Sequence, residues 1–139
     1  MAAPPRPLIT DLPKGHELHA GDIEISRQRV GAYLGAVSDT NAVYAETGLV
    51  SPVAAAALAL TRLLEMLELP FGTLHIGQEI QAHGGIAIDT KLSMRGWIAQ
   101  RSVRAGAVIS VIEFALTPSG ASAPALTGRT TVMVQGAAS

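Results

Sequence analysis

The stretch SDTNAVYAETGLVSP, residues 38 to 52, gathers Asp39, Asn41, Tyr44 and Glu46 between two apolar segments. A carboxylate, an amide and a phenol in one loop can hold a water molecule and divide proton traffic to and from it. The same residues also have a conformational use. Asp and Asn after a helix close turns through side-chain to backbone bonds, and a tyrosine packs its ring while its hydroxyl finds a partner. His75, Gln78 and Glu79 stand together further on, either as pocket residues or as the polar side of a strand. Arg95, Arg101 and Arg104 carry the charge that phosphate groups need, and equally suit a solvated strand face.

Other chemistries are excluded. There is no cysteine, so disulfides, thiolate nucleophiles and cysteine-ligated metals are ruled out. The four histidines, His16, His19, His75 and His83, form no metal-ligand motif, and no metal site is expected. A formal net charge of −1 offers no concentrated basic face for nucleic acid. The longest apolar run, residues 53 to 60, is far shorter than the roughly 20 residues that cross a bilayer. The opening MAAPPRP lacks the apolar stretch of a signal peptide, so a cytoplasmic protein without membrane attachment is expected.

The chain of 139 residues suits one domain, expected at 15–139 behind an extended tail at 1–14. Ile23 and Ile25 alternate and then meet Ser26, which fits a short strand handing over to a capped helix. Val30, Tyr33, Leu34 and Val37 give that helix one apolar face, weakened by Gly31 and Gly35. After the polar loop, VAAAALALTRLLEMLEL predicts a helix of more than four turns, buried at its start, emerging at its end, and stopped by Pro70 and Gly72. From Thr73 the period becomes two. Leu74, Ile76, Ile80 and Ala82 are expected on one face, with Gln78 interrupting it. Three further strands follow in TKLSMRGWIAQRSV, AVISVIEFALT and LTGRTTVMV. The order predicts an α+β domain in which a mostly antiparallel sheet wraps one long central helix. Such a sheet leaves edges that subunits can pair, and the high apolar content fits either a covered surface or a monomer's own core.

On these residues the chain resembles the MaoC-like (R)-specific enoyl-CoA hydratases and dehydratases of the hotdog fold. SDTNAVYAETG is similar to the family's hydratase motif, Ser/Gly-Asp-x-Asn-Pro-x-His; LPFGTLHIGQEIQAH and GRTTVMV resemble its first long strand and its last. The resemblance covers roughly residues 15 to 134. It implies an acyl thioester of coenzyme A or of an acyl carrier protein as substrate, no cofactor, and a homodimer, a higher oligomer, or a heteromer with a catalytic hotdog chain. Asp39 stands at the family's catalytic Asp and Asn41 at its Asn, while Ala42 replaces the Pro and Tyr44 replaces the catalytic His. A phenol with an ordinary pKa of about 10 donates a hydrogen bond but does not act as a base near neutral pH. The backbone N–H groups at the start of the long helix, near Val53 and Ala54, would face the thioester oxygen as it gains charge, with His75 beside the pocket.

Three functions remain open. The chain is an active hydratase or dehydratase centred on Asp39; or a non-catalytic subunit shaping the acyl pocket of a partner; or a thioesterase in which Asp39 or Glu46 activates water. Position 44 discriminates the first two, and release of free coenzyme A identifies the third.

Overall fold

The computed structural model describes residues 6–26 and 50–136. A 3₁₀ turn (Ile9–Asp11) precedes strand β1 (Glu17–Glu24), helix α1 (Pro52–Glu65) and strands β2 (Leu74–Ala82), β3 (Lys91–Arg104), β4 (Ala107–Pro118) and β5 (Leu126–Val134). The strands make one antiparallel sheet in the order β1-β3-β4-β5-β2. One helix packed on an antiparallel sheet is the α+β arrangement expected from the sequence. The short helix and the polar loop anticipated after Ser26 lie outside the described residues.

Alternation decides which side chains enter the core. Leu92, Met94 and Ile98 of β3, Ile112, Phe114 and Leu116 of β4, and Leu126, Val132 and Val134 of β5 are buried with Ala55, Ala56, Ala59 and Leu63 of α1. Each fully buried aliphatic or aromatic side chain contributes about 1.5–3 kcal/mol. At mid-sheet, Leu18, Gly96, Phe114, Gly128 and Ile80 lie side by side across all five strands. The two glycines make room in this row. The Phe114 ring occupies the place a side chain at Gly128 would need, and Leu63 reaches over Gly96. The β3–β4 turn is closed by Ala105 (φ 51°) and Gly106 (φ 80°), the left-handed pair that matches the twist of a two-residue hairpin.

One expectation about the helix is corrected. Helix α1 ends at Glu65, with Met66 as C-cap, rather than continuing to Pro70. The residues beyond it find backbone partners in the N-terminal segment: Ile9 N–H donates to Glu68 O (3.2 Å) and Glu68 N–H to Pro7 O (2.8 Å). As expected, the helix is the more buried in its first half, where Ala54, Ala55, Ala56 and Ala59 are enclosed, and emerges at its end, where Thr61, Arg62 and Glu65 are exposed; Val53, exposed, and Leu63, buried, are the exceptions.

The N-terminal residues read as tail include part of the core. Ile9 and Leu12 are buried. Arg6 donates to Glu65 O (3.1 Å), placing a cation at the C-terminal end of α1, where the dipole favours it. Arg101 holds Thr10 O through Nε (3.1 Å) and its terminal nitrogen (2.9 Å). At the opposite margin β2 is an edge strand, with most of its residues exposed on both faces. Among the described residues no helix is long and apolar enough to cross a membrane.

Candidate functional site

Ser51 caps α1. Its Oγ accepts from Ala54 N–H (3.2 Å) and its carbonyl from Ala55 N–H (2.9 Å). Pro52 occupies the first helical position, where its missing N–H costs nothing. Of the two N–H groups expected at the helix start, Ala54's is therefore used within the cap. Val53's remains at the positive end of the helix dipole, on a residue 56% exposed. Val53 also lines a cleft of about 460 Å³ between α1 and β2, whose other walls are Ala56, Ala57, Leu60, Thr61, His75, Gln78 and Ile80. The helical residues recur at the spacing of one helix face. Their small side chains leave the volume open.

The β2 side of the cleft departs from strict alternation. The pairing register of β2 with β5 shifts between His75 and Gly77, and such a bulge turns the following residues over. Gln78 shares a face with Ile80, as expected, and His75, three residues before Gln78, consequently joins them on the helix-facing side in place of Leu74. Ile76 lies within the bulge and is 50% exposed. An isolated glycine in a strand pattern is the sequence signal for this shift, and Gly77 was the missed clue.

His75 also has a partner that its own stretch of sequence does not reveal. Its Nε2 lies 2.6 Å from Thr130 Oγ1 on β5, and Thr130 is fully buried. The Thr130 hydroxyl is also 3.4 Å from Gly77 O. Two proton arrangements satisfy this contact: Thr130 donates to Nε2, or Nε2–H donates to Oγ1 while the hydroxyl turns to Gly77 O. Either holds the ring in place from its Nε2 side. Thr61 uses its own hydroxyl proton on Ala57 O (2.9 Å). A smaller, apolar hollow of about 150 Å³ lies beside the helix start, walled by Val50, Pro52, Ala82, Ile86 and Leu126.

The remaining candidates are elsewhere. Asp39, Asn41, Tyr44 and Glu46 lie outside the described residues. Glu79 lines a depression of about 500 Å³ with Trp97, Glu113 and Arg129, separate from the cleft. There Arg129 pairs with Glu113 (2.7 Å), which holds its guanidinium above the usual range through a hydrogen bond and charge attraction. Arg95 is engaged by Glu17 and lies over the Trp97 ring, 5.7 Å from its centroid. With Arg101 bound to Thr10, neither arginine lines the cleft.

No family model matches the chain. No curated protein matches it in sequence either. Solved structures do resemble it. A chain of the C-terminally truncated HadBC (3R-hydroxyacyl-ACP dehydratase) complex from Mycobacterium tuberculosis aligns with a TM-score of 0.74 at 18% identity, over 91% of this chain and 100% of that one. An (R)-hydratase from A. caviae involved in PHA biosynthesis aligns at 0.65 and 18%, over 88% and 96%. A MaoC-like dehydratase from Rhodospirillum rubrum aligns at 0.66 and 15%, over 92% and 96%. At these identities the likeness shows the fold: the chain has the hotdog architecture, and its structural neighbours include MaoC-like hydratases and dehydratases.

Proposed function

We propose that this chain is an acyl-thioester-binding hotdog subunit of the hydratase/dehydratase type, with its catalytic loop degenerate at Tyr44. The observation that carries the reading is the cleft along α1: it begins at a capped helix start and runs beside alanine side chains, on a fold shared with dehydratases. In this reading the thioester carbonyl oxygen meets Val53 N–H, where the negative charge of the enolate is stabilised as it develops. Hydration requires a base to take a proton from water as oxygen bonds to the β-carbon, and an acid to protonate the α-carbon. Asp39 is the loop's candidate base. Tyr44, a phenol with an ordinary pKa of about 10, can donate or accept a hydrogen bond but is a poor base near neutral pH.

A partner chain supplying the Asp/His pair is the second reading, and one observation favours it. The edge strand β2 exposes Leu74 and Ile76. A second hotdog chain adding its own edge there would cover apolar surface and unpaired backbone groups together. The similar HadBC chain comes, by its description, from a 3R-hydroxyacyl-ACP dehydratase complex.

Hydration of a short enoyl-CoA by the full chain, beside Asp39→Ala and Tyr44→His, tests both readings. Activity in the natural chain that is lost in Asp39→Ala makes the loop competent without histidine. Silence that turns to activity in Tyr44→His means an intact pocket lacking its acid–base group, and directs the search to a partner. Release of free coenzyme A instead of hydration replaces both readings with a thioesterase.

A further inference from the structure

The cleft between α1 and β2 changes character along its length. Pro52 at the helix start shares a hollow with Ala82 at the end of β2, so Ile80 lies toward the helix start with Val53 and Ala56, and His75, earlier on the strand, lies toward the other end with Thr61. From Val53 to Thr61 the helix advances roughly 12 Å at about 1.5 Å per residue. His75 is therefore too far from Val53 N–H to act on the same atoms, and it is no substitute for the histidine absent at position 44. It sits where the far end of a medium-length acyl group would arrive.

What that end offers is specific. Nε2 of His75 is held by Thr130 (2.6 Å), and the Thr61 hydroxyl proton is committed to Ala57 O. The polar groups a ligand meets are the His75 imidazole, the amide of Gln78, which can donate and accept, and the Thr61 oxygen, which can still accept. No Lys or Arg lines the cleft among the described residues, so nothing there calls for a carboxylate or phosphate. A terminal methyl group pressed against these atoms would strip them of water without replacing its hydrogen bonds.

We propose that the distal half of the cleft is a polar acyl subsite, in which Gln78 and His75 select thioesters whose acyl group carries an uncharged hydroxyl or ketone near its far end. Thr130 is the positioning residue, acting through the imidazole. The inference rests on the acyl-thioester reading above and adds the class of acyl group to it.

The test is titration calorimetry of the full chain with decanoyl and omega-hydroxydecanoyl thioesters, each presented on coenzyme A and on acyl carrier protein. The hydroxylated ligand should bind about tenfold tighter or more, the discrimination expected of a site built to hydrogen-bond. Gln78→Leu and His75→Leu should each reduce that ratio toward one or invert it. Thr130→Val should reduce it and Thr130→Ser restore it, a pattern that general loss of stability does not produce. Tight binding of both ligands with no preference, or a preference that survives Gln78→Leu and His75→Leu, overturns the polar subsite and leaves the thioester reading standing. If the folded chain binds neither ligand on either carrier, both fall.

Discussion

Replacing Gly128 with alanine sets two effects of opposite sign against each other. In a strand interior, glycine is ordinarily worse than alanine by roughly 0.5–1 kcal/mol, because it loses more backbone freedom on folding. Taken alone, Gly128→Ala should therefore stabilise. At this position, however, a Cβ would lie less than 3.0 Å from three carbons of the Phe114 ring. That ring is fully buried at the centre of the sheet and cannot swing into solvent. Overpacking of this kind costs about 1–3 kcal/mol. The steric term wins, and the net loss should be about 1–2 kcal/mol, the difference of these two ranges near their middles. Urea denaturation followed by circular dichroism should show a lower midpoint with an unchanged slope. Gly96→Ala is the internal control. There the Cβ would lie 2.6 Å from Leu63 Cδ2, a methyl that can rotate away, so the loss should be smaller. Phe114→Leu alone should cost about 1–2 kcal/mol for the cavity it leaves, yet combined with Gly128→Ala the two should be less damaging than their sum by about 1 kcal/mol. A Gly128→Ala protein as stable as the parent, or strict additivity in the double variant, refutes the close packing of ring on glycine.

Ser51→Ala should lower stability by about 0.5–2 kcal/mol in the same assay, since it removes the acceptor for Ala54 N–H in a buried cap. Ser51→Asp keeps an acceptor there and should recover most of the loss. Ala105→Asn should raise stability by roughly 1 kcal/mol, because Ala105 holds a left-handed conformation (φ 51°) that asparagine tolerates better. A thermal midpoint unchanged by Ala105→Asn would count against a left-handed turn at the β3–β4 hairpin.

The parts of the fold legible in the sequence were those set by local periodicity. The inward positions of β3 were readable because Leu92, Met94 and Ile98 alternate with Ser93 and Arg95, and the sheet buries that set of side chains. The end of α1 was not, because nothing between Arg62 and Leu69 breaks a helix. The chain leaves the helix there to pair Glu68 with Leu8, a contact set by tertiary docking of the N-terminal segment. The site follows the same division. The position of the helix start was readable from Pro52 and the apolar run behind it. That Ala54 N–H is taken up by the cap depended on Ser51 folding back onto the helix. His75 shows the limit most plainly. Counting by twos from Leu74 puts it on the face opposite Ile80, whereas the register shift beside Gly77 puts it on the same face, within reach of Thr130 on the neighbouring strand. One irregular residue pair thus converts a surface histidine into a cleft residue with a buried partner. If their shared face is what shapes the cleft, the bulge itself should be dispensable. Deleting Ile76 removes the extra residue and leaves His75, Gln78 and Ile80 on one face by plain alternation, so thioester binding should survive it. Lost binding in a folded Ile76-deleted protein would show that the cleft depends on the bulge and not on His75 and Gln78 sharing one face.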